Sequence, residues 1–239
     1  MQGSMEGFVD IHHHLIYGMD DGAQTWEQTQ QMLTCAWQND IDRIIATPHA
    51  EPGMEPFPME QLMRRIRRAQ SWCDEQRMQM EILPGCEIFY TPQTVRMLRE
   101  GLIPTLAGSD YVLVEFSPAA PYSELIGAAK TLTAVGYQPI FAHIERYRCL
   151  RWPGRVPLLR ERYGVSMQMN VDTICRKHAF LSQRWVDTML RKGYIDVAAT
   201  DAHNVTSRPC CMKDGYQALQ KRFGQEMADR LCIEFPGQI

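Results

Sequence analysis

One unit recurs along this chain: an amphipathic helix, a Gly or Asn-Asp stop, a short apolar strand, then a polar residue able to bind metal. Strands that alternate with helices imply a mainly parallel sheet. About seven such units fit into the 239 residues, a length at which an α/β barrel forms one domain. The expected fold is therefore α/β and barrel-like, as a single domain over residues 1–239. Thr25 and Gln28 fit a capping box that opens the first helix. Trp26, Thr29, Met32, Leu33, Ala36 and Trp37 follow at helical spacing, and Asn39-Asp40 stops them. The strand Arg43 to Ala46 then delivers Thr47-Pro48-His49. A second helix, about Met59 to Gln76, sets Leu62, Met63, Ile66, Ala69 and Cys73 on one face. Arg64, Arg65, Arg67 and Arg68 fall largely on the other, read as a solvated face. Later strands end at Glu87, Glu115, His143 and the Asp201–His203 pair, with glycines 136, 164 and 193 closing helices. Reactive residues just past strand ends are where barrel enzymes carry their sites.

Composition removes several function classes. With 25 Lys+Arg against 28 Asp+Glu the net charge is −3, which argues against a general nucleic-acid binder. A 45% hydrophobic and 22% charged balance excludes wholesale disorder. No apolar run reaches the roughly 18 residues of a membrane span, and residues 1–10 lack a signal-peptide pattern. A cytoplasmic protein is expected. The eight cysteines form no paired CxxC framework and read as reduced thiols.

The chemistry-bearing residues are His12, His14, His49, His143 and His203 with one carboxylate of Asp20-Asp21 and those of Glu87, Glu115 and Asp201. On a strand, His12 and His14 share a face and His13 points away. Five imidazoles and four carboxylates, without thiolate, suit Zn, Mn or Fe. Nine ligands exceed the need of one ion, so a cluster of two or three metals is expected. Arg146 and Arg208 stand close by in sequence, and such forks neutralise phosphoryl groups.

The ordered set Asp-Ile-His-His-His, Asp-Asp-Gly-Ala, Ala-Thr-Pro-His, Pro-Gly-Cys-Glu-Ile, Val-Leu-Val-Glu-Phe, Ala-His-Ile-Glu-Arg-Tyr and Thr-Asp-Ala-His-Asn resembles the PHP (polymerase and histidinol phosphatase) superfamily. Within it the chain is similar to bacterial metal-dependent protein-tyrosine phosphatases encoded with capsule and exopolysaccharide genes. The resemblance spans roughly residues 8 to 210. It implies a distorted (β/α)7 TIM-like barrel, the PHP fold, holding three divalent metals, Mn foremost with Fe or Zn as alternatives. One metal would take His12, His14, Asp201 and Glu87; a second His49 and His143, sharing Glu87; a third Asp21, Glu115 and His203. Asp20 replaces Asp21 if the loop is shifted. Arg146 and Arg208 match the phosphate-contacting arginines. The implied substrate is a phosphotyrosine protein, such as the tyrosine-rich tail of a bacterial tyrosine kinase, with attack by a metal-bridged hydroxide. Departures at Ala50, Cys86 and Met169 to Thr173 bear on substrate-facing loops and touch no implied ligand.

The alternatives are another PHP phosphoesterase (histidinol-phosphate-like or nuclease), an amidohydrolase, or a PHP domain kept as an interaction module. A cysteine phosphatase is the remaining rival, because Cys149 to Arg155 matches C-x5-R. Pro153 removes a backbone donor that such a phosphate loop needs. The sequence does not set the oligomeric state, and His13, His178 and the cysteines receive no role.

Overall fold

The computed structural model describes residues 7–176 and 180–239, so His178 lies outside the described residues. Strands and helices alternate as β1 (Phe8–His13), α1 (Trp26–Gln38), β2 (Ile41–Ala46), β3 (His49–Ala50), α2 (Met59–Glu75), β4 (Glu81–Pro84) and β5 (Glu87–Phe89). Then come α3 (Thr94–Arg99), β6 (Tyr111–Glu115), α4 (Tyr122–Thr133), β7 (Gln138–Phe141), α5 (Arg155–Tyr163) and β8 (Ser166–Asn170). The series closes with α6 (Val171–Cys175), α7 (Phe180–Arg191), β9 (Val197–Ala199), α8 (Met212–Phe223) and α9 (Gln225–Asp229). Every strand pairing among the described residues is parallel.

The strands form two sheets, ordered β1-β2-β4 and β3-β5-β6-β7-β8-β9. Thr47-Pro48 separates β2 from β3, and Gly85-Cys86 separates β4 from β5. Pro48 has no N–H to give a ladder, so a break there follows from its chemistry. These breaks make His49 and Glu87 the first residues of new short strands, where the sequence placed them past strand ends. Asp201 N–H donates to the His12 carbonyl at 2.8 Å, and His14 N–H to the Ala202 carbonyl at 2.9 Å. These bonds join the front of the chain to the end of β9 and curl the parallel sheet into a half-barrel.

Side chains alternate between two apolar clusters along the strands. Leu113 and Ile140 belong to one, with Val9, Ile11, Ile45, Val197 and Ala199, while Val112, Val114 and Phe141 belong to the larger one under the helices. In β1 the alternation is interrupted, because its register against β2 shifts between Asp10 and His13. Ile11 packs in the smaller cluster and His12 reaches Glu87, so two successive side chains serve the inner side. The period-two expectation for His12 and His14 is met only beyond that slip.

Helix starts obey the sequence. Thr25 and Gln28 make the reciprocal capping box of α1. Trp37 is 48% exposed, so the apolar stripe of α1 ends before it. The arginines of α2 lie on a mostly exposed face, as expected, with Arg64, Arg67 and Arg68 exposed and Arg65 half-buried. Arg65 stacks 4.2 Å from the Tyr17 ring centroid and donates to the Tyr17 carbonyl, and Arg68 stacks 4.1 Å from that of Trp26. They clamp the loop that carries Asp20 and Asp21. Among the described residues no helix is long and apolar enough to cross a membrane, and no disulfide is formed.

Thr25→Ala removes the cap of α1 and should lower unfolding free energy by about 1 kcal/mol. Urea titration at constant metal checks this, and an unchanged midpoint would mean the box contributes nothing.

Candidate metal centre

β1 brings His12 and His14 together, with 3.2 Å between their Nε2 atoms. His12 Nε2 lies 3.1 Å from Glu87 Oε2 and 3.4 Å from Asp201 Oδ1. His14 Nε2 is 3.4 Å and 3.5 Å from the same two oxygens. These four side chains are buried and present ligand atoms within 4.8 Å of one another. On the other side of Glu87, His143 Nε2 lies 2.7 Å from Oε1, and His49 Nδ1 lies 3.1 Å from Oε2. Glu115 faces the same pair, 3.3 Å from His49 Nδ1 and 3.6 Å from His143 Nε2. Asp21 Oδ1 is 3.3 Å from His49 Nε2 and 3.2 Å from His203 Nε2. The grouping implied for Glu115 with Asp21 and His203 therefore differs from the geometry. Glu115 stands with His49, Glu87 and His143, and His49 with His14 completes the group around Asp21 and His203.

Burial distinguishes Asp20 from Asp21. Asp20 is buried and accepts from His14 Nδ1 at 2.7 Å, from His49 N–H at 3.0 Å and from Gly22 N–H at 2.9 Å. It positions two imidazoles, while the exposed Asp21 carboxylate faces the cluster. Gly22 is required by contact, since a Cβ there would sit 2.1 Å from the His14 carbonyl oxygen.

Two residues of the cluster hold left-handed backbone, His143 at φ 30° and Asp201 at φ 52°. Non-glycine residues avoid this region, and where the surrounding structure enforces it a functional site is the usual setting. Sequence reasoning missed the polar floor beneath. Gln168 Oε1 accepts from His143 N–H at 2.5 Å and lies 3.4 Å from His12 Nδ1. Its amide donates to Asn170 at 2.8 Å, and Asn170 donates to Asp201 Oδ2 at 2.8 Å. The strand-period position of Gln168 and Asn170, two apart in an apolar strand, was the available signal. Glu145 is a further buried carboxylate, accepting from Asn170 N–H at 3.0 Å, and burial pushes its pKa up.

Electrostatics report crowding. Burial would raise Glu87 and Asp201, yet the imidazoles around them, His12 foremost, hold both well below the carboxylate range. Burial works against charging His49, but the carboxylates of Glu115 and Glu87 outweigh it and raise the imidazole to about 10. His203 goes the other way, lowered to about 4 by burial and then by His14. Several close approaches lack hydrogen-bond geometry. His49 Nδ1, His203 Nε2 and Asp201 Oδ1 are buried without a hydrogen-bond partner. Lone pairs that converge without protons between them fit a cation, so the residues present fit bound metal. Arg146 and Arg208 reach Asp201 at 2.5 Å and 2.8 Å and remain part-exposed at the rim.

The cysteine motif is arranged differently. Arg155 donates to the Cys149 carbonyl at 2.9 Å and stacks on the Tyr122 ring. Burial raises the Cys149 thiol, opposite to what a nucleophile needs.

Replacing Asn170 with Ala removes a donor to Asp201 and should weaken metal binding by roughly 10–100-fold. Competition titration with a chelating indicator reads this, and an unaltered affinity would deny Asn170 a positioning role.

Comparisons with known proteins complete the picture. The family described as capsular polysaccharide synthesis, CpsB/CapC, matches residues 8–239. Tyrosine-protein phosphatase CpsB of Streptococcus pneumoniae is 29% identical over 239 residues, covering 97% of each chain. A solved structure from work on YwqE of Bacillus subtilis and CpsB of Streptococcus pneumoniae, described as metal-dependent tyrosine phosphatases, superposes with TM-score 0.82 at 26% identity. It covers 92% of this chain and 89% of its own. Histidinol phosphate phosphatase of Lactococcus lactis shares the fold, with TM-score 0.58 at 12% identity and 94% coverage of each chain.

Proposed function

The chain belongs to the CpsB/CapC family of capsular polysaccharide synthesis, and on that premise we propose that it is a metal-dependent protein-tyrosine phosphatase. The observation that carries this reading is the convergence of His12, His14, His49, His143 and His203 with Asp21, Glu87, Glu115 and Asp201, flanked by Arg146 and Arg208. We read the nine side chains as holding three divalent ions, Mn foremost, with Fe or Zn able to replace it. His12, His14, Glu87 and Asp201 would hold one; His49, His143, Glu87 and Glu115 a second; Asp21, His203 and the His14–His49 edge a third. We also read the two broken sheets as one distorted seven-stranded barrel, and residues 1–239 as one domain.

Bound ions supply Lewis acidity for activating water and for offsetting charge on phosphoryl oxygens. The chain's own residues do the rest. Arg146 and Arg208 give guanidinium forks at the rim, where a planar donor pair matches two phosphoryl oxygens. Arg146 donates to Asp201 Oδ2 and Arg208 forms an ion pair with Asp201 Oδ1, which aims both at the cluster before substrate arrives. Met19, Met54 and Phe57 line a groove beside Asp21 and His49, an apolar surface for the aryl ring of the ester. Tyrosinate leaves readily, so no buried general acid is required, and no thiol takes part. We propose a phosphotyrosine protein as substrate, such as the tyrosine-rich tail of a bacterial tyrosine kinase, acting in the cytoplasm on capsule or exopolysaccharide synthesis.

Mn-loaded protein should release phosphate from a phosphotyrosine peptide and stop on addition of a chelator. His12→Ala with His14→Ala should lose on the order of a thousandfold or more in kcat, and Arg208→Ala on the order of a hundredfold. Cys149→Ser should turn over at the original rate. Full rate in the double histidine variant, or loss of activity in Cys149→Ser, would reverse the assignment.

A further inference from the structure

We propose that Asp10, His13 and Cys210 form a second metal site, behind the ligand strand and separate from the barrel-mouth cluster, that takes one Zn2+ ion. The slip in β1 creates it. With Ile11 and His12 both serving the inner side, Asp10 and His13 come together on the outer side of the same strand. Cys210, two residues past Arg208, meets them there. One ligand atom from each of the three lies within 4.8 Å of the other two. All are buried, with Asp10 and His13 at 0% and Cys210 at 6% exposure.

The independent sign of a ligand is His13. Neither Nδ1 nor Nε2 has a hydrogen-bond partner, although the ring is wholly buried. An imidazole normally satisfies at least one nitrogen when removed from water, and a cation would take up one of these lone pairs. The backbone N–H of His13 donates to Thr47 Oγ1 at 2.9 Å, so the residue itself is anchored and only the ring is unpaired. Asp10 accepts from Thr200 N–H at 3.1 Å, from the Thr200 hydroxyl and from His12 N–H at 3.3 Å. A carboxylate offers about four lone-pair positions, which leaves one for a metal.

The donor set selects the ion. Thiolate, imidazole and carboxylate together suit tetrahedral Zn2+, with the fourth position left to water. On binding, the Cys210 thiol gives its proton to solvent and a sulfur–zinc bond forms. One thiolate and one carboxylate then balance the double charge of the ion, so the buried unit is neutral. This site ties together the two segments that carry the catalytic ligands. His13 stands between His12 and His14, and Asp10 holds Thr200, the residue before Asp201.

The barrel-mouth cluster contains no sulfur, so Co2+ reports on this site alone through thiolate-to-cobalt charge transfer. Protein saturated with Co2+ should show that near-ultraviolet band. Cys210→Ser should lose the band and bind one ion fewer per chain, while Cys175→Ser keeps both. A saturated wild type without the band, or a band that survives in Cys210→Ser, overturns the proposal. Zinc-edge X-ray absorption on the wild type needs no variant and decides the matter if Cys210→Ser fails to fold. A sulfur neighbour at about 2.3 Å supports the site, and a shell of nitrogen and oxygen alone refutes it. Neither readout uses phosphatase activity, so loss of the phosphatase reading would leave this test intact.

Discussion

The structure depends on one electrostatic problem, the gathering of four carboxylates and five imidazoles in a cup whose floor is buried and whose rim is open at Asp21. Charges that close and that dry are costly unless balanced. Within the cup the imidazoles lower the pKa of Glu87 and Asp201 against burial, and the carboxylates of Glu115 and Glu87 raise that of His49. Divalent ions settle the same balance without protons. Glu87 is the pivot, buried at 1% exposure and within reach of His12, His14, His49 and His143.

The backbone serves that cup by departing from regular strand geometry at several of the candidate ligands. Breaks at Thr47-Pro48 and Gly85-Cys86 restart strands at His49 and Glu87. The slip in β1 turns His12 inward directly after Ile11. Positive φ at His143 and Asp201 re-aims side chains that a continuing strand would send elsewhere. The surroundings restrain these departures. Gln168 holds the His143 amide, Asn170 holds Asp201, and Arg65 clamps the loop before Asp20.

Much of this was legible in the residues. Hydrophobic periodicity located the helices, Thr25 and Gln28 located a cap that forms, and the strand-end positions of His and carboxylate pointed to one mouth. What could not be read was tertiary. Asp20 and Asp21 are adjacent acids, and only burial separates the one that orients His14 from the one that faces His203. The resemblance groups Glu115 with Asp21 and His203, whereas Glu115 here lies beside His49 and His143, a proximity across a curled sheet that strand order does not give. Gln168 and Asn170 carry no charge and form no motif, so their part as the floor of the cup emerges only from hydrogen bonds that span 25 and 31 residues. The α2 arginines are mostly solvated as read, but the stacking of Arg65 on Tyr17 and Arg68 on Trp26 was not legible, because those rings lie far off in sequence.

Anomalous diffraction from Mn-loaded crystals tests the central claim most directly. The expected map has three peaks among these nine side chains, with one shared through Glu87 and one beside Asp21 and His203. A map with no peak there, while the imidazoles and carboxylates keep their direct contacts, would contradict the account.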